Sequence, residues 1–202
     1  KVLLDFPLQR LTLGGPSIGD EAIRLIRQIT SLRALDLINT AITDRSFREL
    51  GNLNLYGISV RSSKKVTDRG LVEIARIWPD LRDLDLSGSS VSPSGLVMLD
   101  KFEHLQVLIL ESLTISDESM ATICKLPLRT LNLTDTKISA EAISMVGEMK
   151  TLESLLITRC SAANMDVKRE LEEAIPGCTV TYFGFDKSES GKLQEYTDLL
   201  GK

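Results

Sequence analysis

His104 is the one side chain able to trade a proton near neutral pH, and it is the only histidine in the chain. It precedes a strand-like stretch and has no serine, cysteine or acid spaced to act with it, so it reads as a surface-loop histidine. Cys124, Cys160 and Cys178 are too scattered for a CxxC metal pair. Three is an odd number for a disulfide framework, so reduced structural thiols are expected. Gly14-Gly15-Pro16 and Ser87-Gly88-Ser89 lack the lysine and the spacing of a phosphate loop and read as turns. Ser62-Ser63-Lys64-Lys65 reads as a solvated basic loop, and the sequon Asn132-Leu133-Thr134 falls inside a strand. No pair of carboxylates is set apart by apolar surroundings. The residues therefore imply a noncatalytic chain with no cofactor and no metal. A net charge of −4 argues against a binder held to nucleic acid through phosphates. No apolar run approaches the ~20 residues of a membrane span.

The elements that would position any site repeat. In Val66–Leu86, Leu71, Ile74, Ala75 and Ile77 have helical spacing, Thr67 and Asp68 can cap the helix start, and Pro79 stops it. Leu81-x-x-Leu84-x-Leu86 then alternates as a short strand does. The same strand pattern starts at Leu8, Leu32, Leu55, Leu81, Leu105, Leu128 and Leu152, at intervals of 23 to 26 residues. Leu50-Gly51-Asn52-Leu53 is a rival start for the third copy, but it would leave two neighbouring repeats badly unequal. Leu55 is preferred, which makes Phe47, Leu50 and Leu53 the preceding helix face. Asp20, Asp44, Asp68 and Asp117 stand where helix caps are expected, and Pro93 and Ala140 break that column. Self-similarity at this period implies a solenoid, because one copy cannot bury its own apolar faces.

At these residues the chain resembles the leucine-rich-repeat family, in the subtype written LxxLxLxx(T/C)xITDxGLxxL; residues 66–86 match it most closely. The resemblance implies an α/β horseshoe with a parallel sheet on the concave face and helices on the convex face. It also implies a module that binds a protein partner. The subtype occurs in F-box-associated repeats, implying the substrate-recognition part of a ubiquitin-ligase receptor whose F-box lies outside this chain. It occurs equally in bacterial repeat proteins, implying a bacterial or organellar scaffold or assembly factor. Residues 8–183 are expected to form the repeat domain with a closing strand. Residues 1–7 are expected to be a partial preceding repeat or cap. Residues 184–202 read as a C-terminal cap or tail, with Leu193, Tyr196, Leu199 and Leu200 on one helical face, or as a docking motif.

If the strand leucines point inward, the alternate positions form the inner wall. One row reads Thr12, Asp36, Ser59, Asp85, Ile109, Asn132 and Leu156; a second reads Arg10, Ala34, Gly57, Asp83, Val107, Thr130 and Ser154. Strand entries carry Arg33, Tyr56, Arg82, Arg129 and Glu153 among others. Apolar Val107 and Ile109 near the middle, rimmed by Asp83, Asp85, Glu111 and Arg129, suit an interface core. Tyr56 is an aromatic anchor beside it. The candidate partner-binding set is Tyr56, Arg82, Asp83, Asp85, Val107, Ile109, Glu111, Arg129 and Asn132.

Overall fold

A stack of repeats buries its strand leucines only if each copy sets its strand beside the last one. The computed structural model, which describes residues 7–183, shows this arrangement. The strands are β1 (Arg10–Gly14), β2 (Ala34–Ile38), β3 (Gly57–Ser59), β4 (Asp83–Asp85), β5 (Val107–Ile109), β6 (Thr130–Asn132), β7 (Ser154–Leu156) and β8 (Thr179–Thr181). They form one parallel eight-stranded sheet in sequence order. Between them run α1 (Asp20–Ile26), α2 (Arg45–Glu49), α3 (Asp68–Ile77), α4 (Pro93–Leu96), α5 (Asp117–Ile123), α6 (Ala140–Met145) and α7 (Met165–Ala174). Tighter 3₁₀ turns, Val97–Lys101 and Val146–Glu148, extend α4 and α6.

The central leucine of each strand stacks on the next: Leu11, Leu35, Ile58, Leu84, Leu108, Leu131, Leu155 and Val180 lie in register. Ile58 between Leu35 and Leu84 fixes the third repeat at Leu55, and Leu55 and Leu81 share one continuous core. The helix expected over Phe47, Leu50 and Leu53 is shorter than its apolar spacing suggested. It ends at Glu49, and Leu50 and Leu53 fill the core from the turn that follows. Trp78 ends α3 and is buried, its indole N–H donating to the Leu53 carbonyl at 2.7 Å. The open first strand leaves Leu11 and Leu13 partly exposed, whereas Leu35 and Leu37 are buried.

Each of β1 to β7 leaves the sheet through one left-handed residue, the second after its last core side chain. These are Gly15, Asn39, Ser62, Gly88, Ser112, Asp135 and Arg159. Glycine takes this conformation without steric cost, and the other five residues hold it at φ between 53° and 62°. One residue further on, small polar side chains close the buried turn. The Thr40 and Ser63 hydroxyls meet at 2.8 Å, and Cys160 takes the same position against Thr136 at 3.3 Å.

The aspartates expected as helix caps do something else. Thr67, Ser92, Ser116 and Ser139 cap their helices through their own hydroxyls. Each aspartate reaches forward to the following repeat. Asp20 accepts the N–H and hydroxyl of Thr43, both at 2.8 Å. Asp44 accepts the same pair from Thr67 at 2.8 and 2.7 Å, and Asp68 accepts them from Ser92, both at 2.7 Å. Asp117 takes only the Ser139 hydroxyl, at 2.6 Å. Pro93 has no such group to offer, and Ser116 instead closes a box with Ser119. Ala140 is replaced in this role by Ser161, whose hydroxyl bonds both the N–H and the carbonyl of Ile138.

Residues 1–6 and 184–202 lie outside the described residues, and with them the expected apolar run Leu193, Tyr196, Leu199 and Leu200.

Candidate functional site: the open face of the sheet

Helices cover one face of the sheet, and the alternate strand residues stand on the other. At strand spacings of ~4.8 Å, eight strands make a wall on the order of 35 Å long. The registered pairs set out two rows across it, Arg10 through Thr179 and Thr12 through Thr181.

On the first four strands this wall is charged and largely internally satisfied. Asp36 accepts from Thr12 at 2.9 Å and lies 3.4 Å from Arg10. Ala34 and Gly57 are small and buried, so long side chains close over them. The Tyr56 phenol, and with it Asp36, holds the Arg10 guanidinium above its ordinary pKa. Asp85 accepts from the Ser59 hydroxyl at 3.0 Å and from the Ser87 N–H at 2.9 Å. Glu111 is ion-paired with Arg61, a contact that passes over the intervening strand. Asp83 differs. Its carboxylate accepts no hydrogen bond among the described residues, and burial raises its pKa against the pull of Arg10 and Arg82.

The candidate residues do not all converge. Val107 and Ile109 lie partly exposed on β5, beside Asp83 and Asp85 in register, and Ile109 also pairs with Asn132. The Asn132 side-chain carbonyl accepts from the Thr134 N–H at 2.9 Å. Tyr56, 42% exposed, and Arg82 sit on neighbouring strand entries, where the Arg82 N–H bonds the Tyr56 carbonyl. Arg129 pairs with Glu153 at 2.9 Å along the same edge. Sequence reasoning missed Arg61. Continuing the rows by two further residues along each strand would have placed it in line with Glu111. It also gave His104 no acidic neighbour, yet Asp80 lies 3.8 Å away, with both side chains exposed.

Elsewhere, a cleft of about 530 Å³ opens among the starts of α1, α2 and α3. Its carboxylates are engaged: Asp20 and Asp44 in the forward ties, Glu73 with Arg48 and Arg76. Among the described residues no group of three or more His, Cys, Asp or Glu side chains is placed to hold a metal ion, and the three cysteines are unpaired. No helix among them is long and apolar enough to cross a membrane.

A solved structure with a similar fold is an internalin (inlF) from Listeria monocytogenes, at 18% identity and a TM-score of 0.57. The fold is a leucine-rich-repeat-like solenoid. The match covers 80% of this chain and 50% of the internalin chain, so this chain spans about half of that protein's length. No protein-family model matches the sequence, and a search of curated proteins finds no match.

Proposed function

We propose that the chain is a noncatalytic protein-binding module that meets a protein partner through the concave face of its sheet. The observation that supports this most is the Val107–Ile109 pair. These partly exposed apolar side chains stand mid-wall among charged neighbours whose hydrogen bonds are mostly made within the chain. Apolar centre and polar rim are the usual division of a protein interface. Val107, Ile109 and Asn132 form the contact centre of the reading, Asp83, Asp85 and Glu111 its acidic rim. Tyr56, Arg82 and Arg129 flank it at the strand entries.

We read the repeats as the LxxLxLxx(T/C)xITDxGLxxL subtype. Glycine at positions 70 and 95, beneath the forward-reaching aspartates, gives the Asp-x-Gly part of that pattern a physical reason. The subtype resemblance supports two settings, a ubiquitin-ligase receptor and a bacterial or organellar scaffold.

The test is affinity capture with the intact chain and with an Ile109→Asp variant whose circular dichroism matches the parent. A partner held by the parent and lost by the variant is the expected result. Equal capture by both refutes the placement.

A further inference from the structure

The wall is divided by charge. In the two registered rows, β1 to β4 carry Arg10, Asp36, Asp83 and Asp85, whereas β5 to β8 carry no charged residue at all. The uncharged half is not bland. Partly exposed Val107, Ile109 and Leu156 alternate there with Thr130, Asn132 and Ser154. The Thr130 and Ser154 hydroxyls make no hydrogen bond among the described residues, and Asn132 uses only its side-chain carbonyl. On the charged half, by contrast, Asp36 and Asp85 are already bonded to neighbouring strands.

We infer that the contact core of the wall is its C-terminal half, β5 to β8, and that its occupant is a protein segment of low charge presenting aliphatic or aromatic side chains. The inference rests on the concave-face reading and narrows it. A charged segment laid on these two rows would lose water without meeting an opposite charge in them, and Glu111 and Arg129 beside them are already paired with Arg61 and Glu153. An apolar side chain against Ile109 or Leu156 removes apolar surface from water on both partners. Free hydroxyls and an amide beside them can bond the polar backbone of such a segment, which would otherwise be left unsatisfied. The charged half then acts in discrimination, since segments bearing unmatched charges are disfavoured as they approach it.

The experiment selects short random peptides displayed on phage against the full chain and measures each winner by titration. Expected winners carry little net charge, are rich in Leu, Ile, Phe, Tyr and Trp, and bind with affinity that hardly changes from low to high salt. Their affinity falls roughly tenfold or more, about 1.4 kcal/mol, on Leu156→Asp. It falls likewise on Ser154→Glu, which alters a surface hydroxyl and spares the core. Asp36→Asn, on the charged half and outside the proposed contact set, leaves it unchanged. A synthetic peptide of residues 186–202, which is rich in charges, is expected not to bind. Winners that are strongly charged, salt-sensitive and lost on Asp36→Asn overturn the inference while leaving the concave-face reading intact, and so does binding of the 186–202 peptide to this half. Winners indifferent to every one of these variants, or no winners, overturn both.

Discussion

The carboxylate of Asp68 occupies the space that a side chain at Gly95 would fill. The same relationship holds one repeat earlier, where a Cβ on Gly70 would stand 2.5 Å from Oδ1 of Asp44. In both places glycine is required by the preceding repeat and not by its own backbone, since neither has a positive φ. Gly95→Ala therefore has two opposed effects. Alanine favours the helical backbone by up to ~1 kcal/mol, and the clash dislodges the carboxylate from Ser92. The clash is expected to win, for a net loss of ~1–2 kcal/mol in urea unfolding. In an Asp68→Ala background the same substitution should become neutral or stabilising; equal losses in both backgrounds would show that the two residues are not coupled.

Forward ties of different size should differ in worth. Asp44 holds an N–H and a hydroxyl, Asp117 a hydroxyl alone. Asp44→Ala strands a backbone donor and is expected to cost ~2–3 kcal/mol, against ~1 kcal/mol or less for Asp117→Ala. Matched denaturant titrations compare them directly, and a reversed order would contradict the tie.

Two carboxylates should leave opposite marks on the pH dependence of stability. Burial alone would raise the pKa of Asp20, but hydrogen bonds from Ser46 and from the N–H and hydroxyl of Thr43 outweigh it and hold it below the usual range. Its contribution is present above the unfolded value of about 4 and is lost as pH falls through the lower folded value. Asp20→Asn should thus be less stable than the parent at neutral pH, with the gap closing below about pH 4. Asp83 is raised, chiefly by burial. Its ionised form is disfavoured in the fold, so Asp83→Asn should stabilise at neutral pH and be neutral in acid. Thermal melts across this range read both signs.

The thiols should be quiet. Burial, helped by Glu148, pushes Cys124 up to about 11. Burial raises Cys160, against hydrogen bonds from Thr136, and raises Cys178. Thiol reagents at mildly alkaline pH should react slowly with native protein and completely once it is unfolded. Rapid native labelling of Cys160 would contradict its placement in the buried turn.

The repeat register was readable because a period-two strand has one face to bury and every leucine triplet marks it. Pro79 marked the end of α3 for an equally local reason. Helix lengths were not readable. Apolar spacing over Phe47, Leu50 and Leu53 marks what is buried, and a tight turn buries it as well as a helix does. The aspartates misled because Asp at a helix start serves equally as a cap or as an acceptor for a neighbour 23 or 24 residues on. On the wall, row composition was legible, but Arg61 meeting Glu111 depends on a side chain crossing a whole strand. Continuing the rows aligns the two residues, but row spacing does not say that one side chain will reach across a strand to the other.

Pro93 stands at the joint between the fourth and fifth repeats, where no aspartate ties one helix start to the next and the loops meet instead through the Ser87 hydroxyl, which accepts from the Glu111 N–H at 3.2 Å, and the Gly88 N–H, which donates to the Glu111 carbonyl at 2.8 Å. A row of dominoes glued in a different way at one joint does not topple evenly. Amide exchange should sort the solenoid into two blocks meeting at this seam, β1 to β4 opening as one and β5 to β8 as another. The seam coincides with the change in charge on the wall, so an opening there parts the charged block from the uncharged one.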